Sequence, residues 1–320
     1  MSELIGHAPG VSERIHDEEP DTSEATVRTL LAAECPEWAS LPMEYLRSSG
    51  TDNAMWRVRV ETGVDVVVRM PRRPHAAEMV EQEMKLLSAL SATQLPSVVG
   101  TPAVRHVGEP HEVFPHRWSV LEWLDGTDAW SGRETVSEDS NALAVDLAEA
   151  VLIIGELADL PAPVRGPGSR GGPIEPLVRT LQWWLDDPQW DAANRVDVAA
   201  VQRLAAEALE VSSEPVAPGF AHGDLIPGNL LIADGRLTSI IDWGSAGYGD
   251  RAQDLSPAWS VFDGPSRSTF QDAVGADEAA WIRARTFELE HAVGGVLYYG
   301  PRGHPLGDVM GRTLGRILDG

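Results

Sequence analysis

The chain has 320 residues, 43% of them hydrophobic and 23% charged, which is the balance of a globular protein with one large domain or two lobes. Its 49 acidic and 25 basic side chains give a formal net charge of −24, which disfavours nucleic acid and membrane partners and favours a cationic partner, although an acidic surface also serves solubility alone. No stretch approaches the roughly 18 consecutive apolar residues of a membrane-spanning helix.

The N-terminal segment, residues 1–24, has the composition of a polar, acidic tail. It lacks the basic start and the apolar centre of a signal peptide. Cys35 is the single cysteine, which excludes an internal disulfide and a cysteine-based zinc cluster. These features predict a reduced, cytoplasmic setting.

The first half of the chain has the pattern of a sheet with one helix. Residues 44–70 alternate as strands do, with a turn-forming cluster at residues 48–53. Apolar residues then predict a helix and two more strands, at residues 76–92, 104–108 and 118–123. We therefore predict a sheet-rich N-lobe over residues 25–124.

The second half is mainly helical. Apolar residues recur at helical spacing over residues 138–160, 196–211 and 276–298. Five prolines and four glycines make residues 161–176 a predicted surface loop, and the Asp234–Gly235 pair between two apolar runs predicts a hairpin. A helical C-lobe over residues 125–320 after a sheet-rich lobe is an α+β arrangement.

One string of residues carries the catalytic signal. Residues 221–229 read Ala-His-Gly-Asp-Leu-Ile-Pro-Gly-Asn. Asp224 can accept or orient the proton of an attacking hydroxyl group. Asn229 in the same loop and Asp242 after the hairpin offer the oxygen ligands that Mg²⁺ prefers. Phosphoryl transfer needs both functions, and this spacing lets one loop present the base and the amide ligand to the same site.

This string, with its His222, and the following Ile-Asp-Trp around Asp242 resemble the motifs of the aminoglycoside phosphotransferase family, whose fold resembles that of protein kinases. The resemblance implies a bilobal, protein-kinase-like fold with ATP or GTP and Mg²⁺ as cofactors. It assigns the role of catalytic base to Asp224 and metal binding to Asn229 and Asp242. His222 belongs to the catalytic group, with fixation of the loop backbone as its favoured role, and Asp254 is expected to brace the loop.

Upstream residues fit the nucleotide side of the same family. Residues 64–70 resemble the strand whose basic residue contacts the α- and β-phosphates. Lys85 is the single lysine of the chain, so Arg69 takes that place, and its planar fork suits phosphate oxygens. Glu83 matches the helix glutamate that pairs with this basic residue.

Further nucleotide contacts are predicted from chain order. The turn at residues 48–53 has the chain position of the family's phosphate-covering loop, although it lacks a G-x-G-x-x-G pattern. Residues 121–124 have the chain position of the hinge, whose backbone contacts adenine. The candidates are Ser49, Gly50, Asp52, Asn53, Glu122, Trp123 and Leu124.

The motifs do not identify the acceptor. The resemblance favours an aminoglycoside-like or other antibiotic and a role in resistance, and a cationic acceptor would suit the many acidic residues. The candidates to bind it are Asp125, Asp128, Asp186, Asp187, Asp263, Glu288 and Glu290. A metabolic kinase for choline, homoserine or a sugar derivative is the alternative. A catalytically silent nucleotide-binding protein is a third interpretation. The one feature that favours it is Arg69, which stands where a lysine is usual. The oligomeric state is not predicted.

Overall fold

The structure is a computed structural model that describes residues 19–46, 52–130, 140–211 and 216–320. These residues form two compact units. Unit 1 contains the described residues up to Ala92 together with Thr101–Asp125, and unit 2 contains Thr93–Gly100 and Gly126–Gly320. The short segment Thr93–Gly100, which falls inside the predicted N-lobe, belongs to unit 2 because Gly100 pairs with Ser239.

Unit 1 is built on a five-stranded antiparallel sheet in the order β1-β2-β3-β5-β4. Its strands are β1 (Met43–Leu46), β2 (Asn53–Val58), β3 (Val66–Pro71), β4 (Val104–Gly108) and β5 (Trp118–Glu122). Its helices are α1 (Glu24–Glu34), α2 (Pro36–Ala39) and α3 (Pro74–Leu90). Every residue of β3 is buried, which accounts for its continuous β-branched run, whereas β2 alternates between buried and half-buried positions.

The predicted polar tail is described from Glu19 onward. Glu19 pairs with Arg72 of unit 1 at 2.5 Å, and each side chain is 1% exposed. The indole N–H of Trp56, in the core, donates to the carbonyl oxygen of Thr22 at 2.9 Å. Residues 19–23 are therefore packed against the sheet, and Ser23 caps α1.

Unit 2 is mainly helical and has two small sheets, β7–β10 and β6–β8–β9. Its strands are β6 (Thr127–Asp128), β7 (Gly219–Ala221), β8 (Leu230–Ala233), β9 (Arg236–Ile240) and β10 (Gly247–Gly249). Its helices are α4 (Asn141–Glu156), α5 (Ile174–Asp186), α6 (Val198–Val211), α7 (Pro257–Ser260), α8 (Gly264–Val274), α9 (Glu278–Tyr299) and α10 (Pro305–Leu318).

The predicted hairpin is present, because Asp234 and Gly235 join β8 to β9 with φ angles of 51° and 72°. The predicted surface loop is wrong at its end, since α5 already begins at Ile174 and a proline is tolerated in the first turn of a helix. Gly171 and Gly172 of that loop are buried. In the described part of the chain, no helix has both the length and the apolar character that crossing a membrane requires.

Candidate active site

The loop that leads from β7 to β8 carries the catalytic string. Gly223 has a φ of +83°, a conformation that glycine adopts without strain. A Cβ atom at this position would lie 1.9 Å from Nη2 of Arg165 and 2.7 Å from the backbone carbonyl oxygen of Ser245, so a side chain here would displace the backbone. The loop ends in a short 3₁₀ turn, Pro227–Asn229, directly before β8.

His222 holds this loop from inside the protein. Its side chain is fully buried, and the backbone N–H of Asp224 donates to its Nδ1 at 3.2 Å. Its Nε2 lies 3.2 Å from the carbonyl oxygen of Ile241, which assigns the proton of the neutral ring to Nε2. Burial lowers the pKa of His222, and the edge of the Trp243 ring packs on it. The ring therefore connects the loop to the strand that leads to Asp242.

Asp254 also fixes this loop. Its carboxylate is 2% exposed and accepts the backbone N–H groups of His222 and Gly223 at 2.6 and 2.7 Å. Burial raises the pKa of Asp254, whereas His222, these hydrogen bonds and Arg165 act in the opposite direction. Asp254 thus fixes the loop backbone, in agreement with the bracing role that the family resemblance implies.

Asp224 and Asn229 are brought into direct contact. Nδ2 of Asn229 donates to the carbonyl oxygen of Asp224 at 2.9 Å and to its Oδ2 at 3.1 Å. Both donors of the amide are therefore directed at Asp224. The amide oxygen of Asn229 accepts no hydrogen bond from a described residue, which leaves it available as a ligand.

Asp242 follows β9 and has a left-handed backbone, with a φ of 65°. The preceding residue, Ile241, donates its N–H to the carbonyl oxygen of Asn229 at 3.0 Å, which ties the two predicted metal ligands to neighbouring backbone. Among the described residues, no group of three or more His, Cys, Asp or Glu side chains forms a metal cluster. One carboxylate and one amide oxygen nevertheless fit Mg²⁺, which usually keeps few protein ligands and takes the remainder from phosphates and water.

In unit 1, Arg69 and Glu83 form the predicted pair. Nη1 of Arg69 on β3 lies 2.6 Å from Oε1 of Glu83 on α3, and the two side chains are 9% and 6% exposed. A buried arginine needs such a partner, so the pair fixes the guanidinium on the sheet. The structure thus brings together the two residues that the sequence assigns to the phosphates.

The predicted phosphate-covering turn supplies the next nucleotide-contact candidates of unit 1. Asp52 forms a half-exposed ion pair with Arg73 at 2.6 Å, and Asn53 begins β2 opposite Pro71. Ser49 and Gly50 lie outside the described residues. The predicted phosphate-covering loop is therefore described only where it joins β2.

The predicted hinge follows β5. Glu122 donates its backbone N–H to the carbonyl oxygen of Ala103 at 2.8 Å, and Trp123 donates to that of Asp65 at 2.9 Å. Both donors are used within unit 1. The N–H of Leu124 has no partner among the described residues, so it is the one hinge donor available to a ligand.

The sequence analysis missed two arginines that contact the catalytic loop. Arg170 places Nη1 3.4 Å from Oδ1 of Asp224. Arg165 packs against Gly223, and its backbone pairs with Tyr248 of β10. Both residues lie in the segment that is predicted as a surface loop. The sequence did contain a signal for this contact, namely two arginines placed among glycines. Glycine permits the close approach of another chain segment, so such a loop can pack against the site.

Helix α9 adds two titratable groups near Asp224, the buried Glu288 and the half-buried His291. Glu288 is 0% exposed, and neither of its carboxyl oxygens has a hydrogen-bond partner among the described residues. Nδ1 of His291 lies 3.7 Å from Oε2 of Glu288. Burial raises the pKa of Glu288 to about 8, and burial followed by the charge of Arg170 lowers the pKa of His291 to about 4. Both groups are therefore uncharged near neutral pH.

Comparison with known proteins identifies a matching family and one sequence relative. A model described as the phosphotransferase enzyme family matches residues 46–287. An aminoglycoside 3'-phosphotransferase of Escherichia coli is 29% identical over 90 residues, which is 28% of this chain and 28% of that relative. The match therefore spans less than a third of the relative's length.

Solved structures of similar fold extend over nearly the whole chain. The GDP and kanamycin complex of APH(2″)-IIIa has a TM-score of 0.67 and 18% identity, with 92% of this chain and 97% of that chain covered. The apoenzyme of macrolide 2'-phosphotransferase from Brachybacterium faecium has a TM-score of 0.57 and 19% identity, with coverage of 90% and 97%. At these identities the likeness concerns the fold, and it confirms the predicted α+β, kinase-like class.

Proposed function

The chain belongs to the phosphotransferase enzyme family, and from that premise we propose that it transfers the γ-phosphate of ATP or GTP to a hydroxyl group of a small molecule. One observation carries the proposal. A single loop presents the Asp224 carboxylate and the Asn229 amide in direct contact, 3.1 Å apart, with Asp242 at the end of the adjoining strand. A base beside oxygen ligands is what phosphoryl transfer requires.

In the proposed reaction, Asp224 accepts the proton of the acceptor hydroxyl as its oxygen attacks the γ-phosphorus. The bond between the γ-phosphorus and the bridging oxygen breaks, and the nucleoside diphosphate leaves. Asp254 and His222 do not take part in this proton transfer. They keep Asp224 in place through the backbone of the loop, because positioning supplies much of the rate enhancement in such reactions.

The proposed nucleotide contacts are divided between residue groups. Arg69 contacts the phosphates, held by Glu83, and the N–H of Leu124 donates to the adenine or guanine base. Asn229 and Asp242 hold Mg²⁺, whose chemical contribution is to neutralise charge that develops on the phosphates. GDP is present in three solved structures of similar fold, so GTP is a candidate donor beside ATP. The cytoplasm, which supplies both nucleotides, is the proposed location.

We propose that the acceptor is an antibiotic or a molecule of similar chemistry, and that phosphorylation confers resistance to it. The relatives named for aminoglycosides and macrolides support this class. The test is release of nucleoside diphosphate by the whole protein with Mg²⁺ and either ATP or GTP. Aminoglycosides, macrolides, cationic peptide antibiotics and small alcohols form the acceptor panel, with a reaction lacking acceptor as the control.

Release that requires a particular antibiotic supports the proposal and names the acceptor class. Release that requires choline, homoserine or a sugar instead contradicts the antibiotic assignment while preserving the phosphotransferase. Tight nucleotide binding without acceptor-dependent release contradicts phosphoryl transfer to every member of the panel.

A further inference from the structure

Three ionisable groups near Asp224, those of Arg170, Glu288 and His291, add little uncompensated negative charge. Arg170 pairs with Asp224 at 3.4 Å. Glu288 is fully buried, and its two carboxyl oxygens have no hydrogen-bond partner in the described part of the chain. With the pKa of Glu288 raised to about 8 and that of His291 lowered to about 4, neither group is charged near pH 7. A polycationic acceptor needs several carboxylates, and these four groups do not supply them.

A stripe of α9 leads away from these groups. His291, Gly294 and Tyr298 are spaced by three and seven residues, so they lie on one helix face. Gly294 leaves room on this face for Trp184 of α5, because a Cβ atom at residue 294 would lie 3.1 Å from Cε2 of the indole. Nε1 of Trp184 donates to Oε1 of Glu290 at 3.1 Å. The indole of Trp184 therefore packs one helical turn from His291, against Gly294, and it is hydrogen-bonded to Glu290, the residue next to His291 in the chain.

Four rings along this stripe form what we call the aromatic wall, and they are Trp183, Trp184, Trp190 and Tyr298. Ring centroids lie 4.8 Å apart for Trp183 and Trp184, 4.9 Å for Trp184 and Trp190, and 6.0 Å for Trp190 and Tyr298. Trp183 is 47% exposed, and the other three are half-buried. Nε1 of Trp190 is buried without a hydrogen-bond partner among the described residues. Rings in the core would be covered, whereas these present apolar area to solvent.

We propose that the aromatic wall binds the body of the acceptor, and that the acceptor is an alcohol with a large apolar framework and a single amine, which Glu290 pairs with. This inference rests on the proposed function, because it extends the site of Asp224. The wall begins one helical turn from His291, which supports a continuous binding surface. Binding sites for small molecules are mostly apolar and aromatic, with few polar groups that fix orientation.

The experiment compares two probes by calorimetric titration and by nucleoside diphosphate release. Erythromycin is a macrolide with one amine and a large apolar framework, and kanamycin is a polycation. We expect erythromycin to bind at least about tenfold more tightly than kanamycin, because apolar burial on the wall exceeds the charge attraction available near Asp224.

Two variants test the residues. Trp183→Ala, at an exposed position, is expected to weaken erythromycin binding roughly fivefold and to leave kanamycin binding unchanged. Glu290→Gln is expected to weaken erythromycin binding by about tenfold through loss of the ion pair. Glu278→Gln, at the exposed start of the same helix, is the matched control and is expected to bind like wild type.

Tighter binding of kanamycin overturns this inference and leaves the proposed function intact. Binding of neither probe also overturns it, as does an unchanged erythromycin affinity in both variants. Erythromycin binding that responds to both variants but yields no diphosphate supports the aromatic wall as a binding surface and contradicts phosphoryl transfer to erythromycin. The two ideas can therefore fail separately.

Discussion

Nη1 of Arg170 lies 3.4 Å from Oδ1 of Asp224, while the amide of Asn229 contacts Oδ2 of the same carboxylate at 3.1 Å. Both oxygens of the proposed base thus have a defined partner. The pair with Arg170 is partly buried, with side-chain exposures of 25% and 18%. Arg170 is therefore proposed to orient Asp224 toward the acceptor hydroxyl.

Arg170→Ala removes one of the two contacts that fix the Asp224 carboxylate. We expect kcat to fall by roughly tenfold and the KM for nucleotide to stay unchanged, because the loss concerns orientation of the base. Steady-state kinetics with the identified acceptor measures both parameters. Arg179→Ala, which removes an exposed arginine of α5, is the control. A wild-type kcat in Arg170→Ala would show that Asn229 alone orients Asp224.

Asp254→Asn tests how the catalytic loop is held. The carboxylate accepts two backbone N–H groups, whereas an asparagine has one acceptor oxygen and presents an N–H₂ group to the second donor. We expect the free energy of unfolding to fall by about 2 kcal/mol, the cost of leaving a buried donor unsatisfied. Urea unfolding measures this loss. A stability equal to that of wild type would contradict the bracing role.

Arg69 is proposed to have two roles, as the ion-pair partner of Glu83 and as a positive charge for the nucleotide phosphates. Arg69→Ala leaves the buried Glu83 carboxylate uncompensated, so we expect a loss of about 3 kcal/mol in stability together with weaker nucleotide binding. Arg69→Lys keeps the charge and is expected to lose less stability than the alanine variant. Urea unfolding and nucleotide titration measure the two effects. Equal losses in both variants would mean that charge is not what Glu83 requires.

We predict that the free energy of unfolding depends on pH through the buried carboxyl group of Glu288. Its pKa rises from the ordinary 4.5 to about 8 because of burial, although Arg170 acts in the opposite direction. Between these values the unfolded chain releases a proton that the folded protein keeps, so this group lowers the free energy of unfolding as pH rises, by about 1 kcal/mol per pH unit. Glu288→Gln removes that dependence.

Relative to wild type, Glu288→Gln should therefore become more stable from pH 5 to pH 8, as urea unfolding at several pH values would show. His291 contributes a slope of the opposite sign below its ordinary pKa of 6.5, but it is present in both proteins. Arg170 and Asp224, which also face Glu288, are likewise unchanged. Parallel stability curves for the two proteins would contradict a buried, neutral Glu288.

The contacts within the proposed catalytic string could be predicted from the sequence because they are local. Asn229 reaches Asp224 within one loop, and the Asp-Gly pair returns the chain to Asp242. The pair of Arg69 and Glu83 followed from the same order of strand and helix. In each case, regular elements and short turns determine where the side chains meet.

The remainder of the site depends on distant segments. Arg170 is 54 residues from Asp224 in the chain, and it lies in a loop without periodicity from which no contact can be inferred. Trp183 and Trp184 are adjacent in α5 and therefore lie on different faces of that helix, and Trp190 follows it in a separate turn. Trp184 is half-buried at the surface of α9, where Gly294 leaves room for its indole. Packing between helices decides this arrangement, and neither propensity nor spacing reports it.

The central claim is that Asp224 receives the proton during phosphoryl transfer. The direct test is acceptor-dependent nucleoside diphosphate release by Asp224→Asn, with nucleotide affinity measured on the same preparation and Asp234→Asn, in the exposed hairpin turn, as the matched control. We predict a loss of at least about a thousandfold in kcat with nucleotide affinity nearly unchanged. Turnover close to that of wild type in Asp224→Asn would remove Asp224 from the role of base and contradict the proposed mechanism.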